Sequence, residues 1–221
     1  MKSWSAISLG IMSSRLNDYG LPVLSEVATA LREEARGERQ PQRLGAFSIA
    51  AGLAGNPESG EVLLEKLEDI KDDEARGYLC LSLGLLNERG AIEEMRKIVL
   101  ESKYRPELLQ QAAIGLGLMG DHELVPELIG MLRDSNSLAS QASVVMALSF
   151  IGDKRSIDPL VSFVNDESHT DRARGFAAAA LGMVAERTSL PWNSDLSCDL
   201  NYRASTTTLN DTEGTGVLNI L

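Results

Sequence analysis

Aromatic side chains make up only 5% of the 221 residues, and histidine and cysteine occur twice each. Each scarcity excludes something. A core poor in Phe, Trp and Tyr must be built from Leu, Ile, Val and Ala, which suits close-packed helices better than a β-sandwich. Two widely separated cysteines, Cys80 and Cys198, form neither a disulfide framework nor a zinc quartet, and they read as free thiols in a reducing compartment. No run reaches the roughly eighteen apolar residues of a membrane span. Basic residues are outnumbered, 21 Lys and Arg against 32 Asp and Glu, and the net charge is −11. A chain of that sign repels phosphate backbones, so no nucleic-acid partner is expected, and no membrane partner either. The opening MKSWSAISLGIMSS has too short an apolar run for a signal peptide, and a cytoplasmic location is expected if the chain is complete.

Glycine, by contrast, is plentiful, and its placement carries the organisation. The stretch AAIGLGLMGD contains Gly115-x-Gly117-x-x-Gly120, the pattern of a dinucleotide-binding loop. Internal comparison gives it another meaning. AISLGIMSS from Ala6, SIAAGLAGN from Ser48, CLSLGLLNE from Cys80, AIGLGLMGD from Ala113, VMALSFIGD from Val145 and AAALGMVAE from Ala178 align on Gly10, Gly52, Gly84, Gly117, Ser149 and Gly182. The spacings are 42, 32, 33, 32 and 33. Gly117 therefore occupies a repeat position and only Gly115 is particular to its unit. A dinucleotide fingerprint follows a strand and opens a helix, whereas PELLQQAAI in front of this one is a run of helix formers. No cofactor is expected.

Glycine inside a helix costs about 0.5–1 kcal/mol relative to alanine, so close packing must offset it. The residues four and seven before the repeat glycine are mostly small, and these positions share one face. That face lets a neighbouring helix approach closely. Gly55, Gly120 and Gly152, with Asn87 in the third unit, are placed as C-terminal caps. A second helix follows each turn, with apolar stripes such as Ile92, Met95 and Val99, or Val125, Leu128 and Leu132. One such pair cannot bury its stripe alone, so pairs stack. The predicted fold is all-α, an α-solenoid in which helix pairs wind into a right-handed superhelix. About six pairs span residues 1–189, with insertions in the first around SSRLNDYGLP and REEARGERQP. Residues 190–221, rich in Ser, Thr, Asn and Asp, are expected to form an irregular tail that caps the last pair. The chain opens inside a first helix with no polar capping unit before it, so it is expected to continue N-terminally in nature.

The units AAIGLGLMGDHELVPELIGMLRD and VVMALSFIGDKRSIDPLVSFVND resemble the HEAT repeat, and their short period is similar to the HEAT-like repeats of phycobilisome lyases. The resemblance covers residues 1 to about 188. GAFSIAAGLAGN and RGYLCLSLGLL carry a weaker likeness to proteasome/cyclosome repeats. The HEAT likeness implies an Asp/Arg ladder, with Arg43, Arg76, Arg172 and Arg174 at first-helix starts, Asp72, Asp134 and Asp166 in the preceding links, and Gln141 departing from it. It also implies a second reading of function, a bilin-lyase-like or other enzyme-associated subunit that holds a chromophore or acceptor protein. It singles out no lyase residue.

The chain shows no nucleophile motif or phosphate loop, and His122-Glu123 is a lone pair that cannot build a metal site. No catalytic residue and no metal are expected, and the chain reads as a non-enzymatic scaffold for a protein partner. Solenoids bind along surfaces that repeat from unit to unit, and the expected face is that of the second helices. Glu61, Glu65 and Glu94 make that face acidic beside Lys97, so the partner is expected to offer a basic or mixed patch. Met131 and Phe163 stand in one row with Lys66 and Ile98, and they would add an apolar strip if exposed.

Overall fold

The structure is a computed structural model that describes residues 3–135 and 137–185. The described residues form eleven α-helices and no strand, and residues up to Ala185 make one unit. The first helices are α1 (Ser3–Asp18), α3 (Pro41–Ala54), α5 (Asp73–Leu86), α7 (Pro106–Leu118), α9 (Leu138–Ile151) and α11 (Asp171–Ala185). The second helices are α2 (Ser25–Gly37), α4 (Glu58–Asp69), α6 (Ile92–Glu101), α8 (Val125–Asp134) and α10 (Ile157–Asn165). The chain is thus an all-α solenoid. The long first spacing has a simple source: α1 runs on to Asp18 before a turn at Gly20, whereas the other first helices before α11 end within two residues of their repeat position. The cap expected from residues 190–221 lies outside the described residues.

Local signals set the helix ends. Asp72 accepts from the Ala75 amide at 2.9 Å, and Ser137 and Thr170 cap α9 and α11 in the same way. Gly55, Gly120 and Gly152 close their helices in the left-handed conformation, and Asn87 does so at φ 58°. Two single 3-10 turns, Arg89–Ala91 and Lys154–Ser156, lead into α6 and α10. Glu88 and Asp153 accept from the amides of Gly90 and Arg155 there.

The first helices pack side by side in one continuous row. A Cβ on Gly84 would stand 2.5 Å from the Cα of Gly115, so the backbones of α5 and α7 touch. Gly10 meets Ala50 and Gly52 meets Ser82 in the same register, the repeat position of one helix against the residue two before it on the next. Gly115 is therefore required by packing. It is the smallest member of a receiving position that reads Ala50, Ser82 and Gly115, while Gly117 meets the backbone of Phe150 and Ile151 on α9.

Each second helix lies chiefly against the first helix of the following unit: α2 on α3, α4 on α5, α6 on α7, α8 on α9 and α10 on α11. The closest pairing thus runs across the polar link rather than within the turn-connected pair. Leu31, Leu44, Phe47, Leu63, Leu67, Leu79, Leu83, Met95, Leu109, Leu116, Leu128 and Leu160 fill the layer between the two rows and are fully buried. Each side chain of this size contributes about 2 kcal/mol by leaving water.

Candidate protein-binding faces

On the second helices the charged residues are displayed and most apolar ones are covered, with Leu100 of α6 and Val161 of α10 the large exceptions. Glu61 and Glu65 are exposed on α4, bordering a groove shared with Arg32, Arg36, Glu58 and Val62. Arg32 pairs with Glu58 across that groove and ties α2 to α4. Lys97 is exposed on α6, 3.7 Å from Glu94, and Glu94 also lies 3.6 Å from Arg76 of α5. Glu94 thus serves two internal pairs as well as facing outward. Met131 is half-buried against the core, and Ile98 is fully buried. Phe163 is only 6% exposed and stacks on His169, with ring centroids 3.9 Å apart. The second helices therefore offer no apolar strip through Ile98 and Phe163, because those side chains fill the space between α6 or α10 and the neighbouring first helix.

A polar seam holds successive units together and accounts for much of the remaining charge. Arg96 of α6 donates to both carboxylate oxygens of Asp121, at 2.8 and 2.5 Å, and also reaches Glu93 and Glu123. That guanidinium holds the Asp121 carboxyl below the usual range. Arg155 grips Asp153 and donates to the His122 carbonyl at 2.7 Å, and its hydrogen bonds hold the Asp153 carboxyl down to about 2.

The Asp/Arg ladder takes another form. Asp72 and Asp166 turn to nearby backbone amides. Arg174 donates to the Val164 carbonyl, and Gln141 donates to the Ser135 carbonyl. Gln141 and Arg174 share one register on their first helices, and each ties down the end of the preceding second helix. Gln141 thus supplies by a neutral amide what Arg174 supplies by a charge. Cys80 is fully buried, and desolvation pushes its thiol up to about 12. Among the described residues no group of three or more His, Cys, Asp or Glu side chains is gathered that could hold a metal.

The first helices carry a feature that sequence reasoning passed over. Around each helix, one side faces the second helices and two sides face neighbouring first helices. The fourth side is turned away from the core, at three before and one after the repeat position. Those two positions read Ile7 and Ile11, Ile49 and Leu53, Leu81 and Leu85, Ile114 and Leu118, Met146 and Phe150, Ala179 and Met183. Leu85 is 39% exposed, Leu118 46% and Met183 40%, and most of the others are half-buried, Ile114 being the one fully covered. An amphipathic helix would be polar there. The signal was present in the sequence, since these helices are apolar all round.

Residues 60–142 and 98–182 match the family model of HEAT repeats, together more than half of the chain. The chain belongs to the HEAT-repeat family. It is similar to the bilin biosynthesis protein PecE of Nostoc sp. strain PCC 7120, at 31% identity over 99 residues, 42% of this chain and 39% of that protein. It is also similar to the bilin biosynthesis protein PecE of Mastigocladus laminosus, at 29% identity over 102 residues, 44% of this chain and 38% of that protein. The chain spans about two fifths of the length of these curated relatives. This corrects the expectation of a non-enzymatic chain: the relatives are named bilin biosynthesis proteins, and the chain is a repeat scaffold related to them. The misreading has a physical origin. A helical repeat shows its packing code in sequence, whereas any residues that serve chemistry stand far apart along the chain without a local motif. Among the described residues no helix is long and apolar enough to cross a membrane.

Proposed function

We propose that this chain is an enzyme-associated HEAT-repeat subunit of bilin biosynthesis that holds a protein partner, the chromophore acceptor, on its stacked helices. The observation that carries the reading is a charged second-helix face on an array related to bilin biosynthesis proteins. Glu61 and Glu65 stand exposed on α4, Lys97 stands exposed on α6, and Met131 is half-buried on α8. Exposed charges of this kind steer association and set orientation more than they add affinity. The partner's contact patch is accordingly basic or mixed. Glu94, paired through one oxygen with Arg76 and through the other with Lys97, contributes through its pair with Lys97, and Phe163 takes no part because it is buried.

The test is capture of a phycobiliprotein subunit on the immobilised chain, with a visible absorption spectrum of the eluted complex. A stoichiometric complex with bilin absorption is expected, and Glu61→Lys with Glu65→Lys is expected to slow association about tenfold at low salt. A colourless protein complex of another kind would sink the bilin reading and leave the scaffold reading standing. Unchanged association rates in the charge-reversed protein would remove the second helices from the interface.

A further inference from the structure

We infer that the outward stripe of the first-helix row is a docking surface for a single long amphipathic helix of a protein partner, lying across the row. This rests on the reading of the chain as a subunit that holds a protein. The stripe is two apolar positions wide, four residues apart on each helix, which at 1.5 Å per residue makes a band about 6 Å between centres, close to the width one helix covers. It recurs on all six first helices, and with interaxial distances of about 8–10 Å it runs for about 40–50 Å. A helix of about 30 residues has that length. A β-edge partner would need unpaired backbone groups, and side chains of packed helices offer none. Leu85, Leu118 and Met183 stay open on this side although the core lies on the opposite side of each first helix, and open apolar side chains in one row mark a contact surface.

The stripe also has an edge of defined charge. About two helical turns before the nearer apolar row, on the same side of the first helices, stand Gln42, Glu74 and Glu107 on α3, α5 and α7, whereas Arg172 holds that register on α11. Glu74 accepts from Gln42 at 2.8 Å and from Tyr78, which fixes its position, and Glu107 lies beside Arg105 and Gln111 at the rim of the adjoining groove. Two carboxylates along one border complement a partner helix that carries Lys or Arg on the corresponding flank of its apolar stripe. The central contacts are those of Leu81, Leu85 and Leu118, the part of the row nearest that border.

The experiment uses the full chain and three synthetic 30-residue peptides followed by fluorescence anisotropy. One has a leucine stripe at helical spacing flanked by lysine, one has the same stripe flanked by glutamate, and one is a permutation of the first without a stripe. The lysine-flanked peptide is expected to bind in the micromolar range, the glutamate-flanked one at least fivefold more weakly, and the permuted one not at all. Leu85→Glu and Leu118→Glu are each expected to weaken binding at least tenfold with an unchanged thermal midpoint, since both side chains are substantially exposed. Glu107→Lys is expected to erase the preference between the two flanks. Equal binding of the permuted peptide, or binding untouched by Leu85→Glu and Leu118→Glu, would overturn the inference. So would a concentration-dependent dimer that Leu118→Glu abolishes, since the occupant would then be a second copy. Loss of peptide binding in the Glu61→Lys and Glu65→Lys protein alone would overturn the stripe and leave the scaffold reading intact. Binding at the stripe with no biliprotein captured would do the reverse.

Discussion

Gly84 and Gly182 stand at the same repeat position and differ in what lies next to them. A methyl group on Gly84 would run into the backbone of Gly115, whereas one on Gly182 would meet nothing within 4 Å among the described residues. Gly84→Ala is therefore expected to cost at least about 2 kcal/mol through backbone displacement. Gly182→Ala is expected to stabilise α11 by about 0.5–1 kcal/mol through helix propensity. Thermal or urea denaturation of the two variants checks both signs. Cys80 supplies a second test at this scale. Its thiol is buried and pushed up to about 12, so at pH 8 it is expected to react with a thiol reagent only as fast as the protein opens. The reaction rate in a Cys198→Ser background, with and without denaturant, measures this. The repeat glycines and their caps were legible in the sequence because each recurs once per unit. Gly115 was not, since its partner is the backbone of another unit.

Helices here are joined by polar contacts at their ends as well as by apolar ones along their sides. Asp121 and Asp153 sit at the turns after α7 and α9, and arginine holds both carboxyls down, Asp153 to about 2. A carboxyl depressed in the folded state stabilises above its unfolded pKa of about 4, and that stabilisation is lost as pH falls through the folded value. Stability is thus expected to be flat above about pH 5 and to fall between about pH 4 and pH 2. Asp121→Asn and Asp153→Asn are expected to be less stable at pH 7 and to show a shallower acid limb. Urea titrations across that pH range decide it. The seam was hard to foresee, because the sequence places Arg96 in a helix and Asp121 in a turn 25 residues further on. The resemblance pointed instead to Asp72 and Asp166, which the structure turns to local amides.

Across the whole array, each first helix packs on its neighbours in the row and on the second helix beside it, so stability is a sum of units and interfaces. A break at one junction should therefore spread outward from it. In the Gly84→Ala protein, hydrogen exchange is expected to quicken first in α5 and α7, with α1 and α11 the last to follow. Simultaneous loss of protection in all eleven helices would show that the array is one cooperative block instead. The same layout separates two surfaces by character, mostly charged on the second helices and apolar on the outer side of the first.

The sequence by itself determined the architecture: helix pairs at a 32- or 33-residue period, left-handed caps at Gly55, Asn87, Gly120 and Gly152, and a small-residue face that forces close stacking. Periodicity and backbone conformation are local properties, and local properties are written residue by residue. Tertiary structure alone decided which periodic side chains stay in contact with water. Phe163 and Leu118 are both large and apolar at repeating positions, yet one is buried against His169 and the other lies open, because exposure depends on which helix packs on each face.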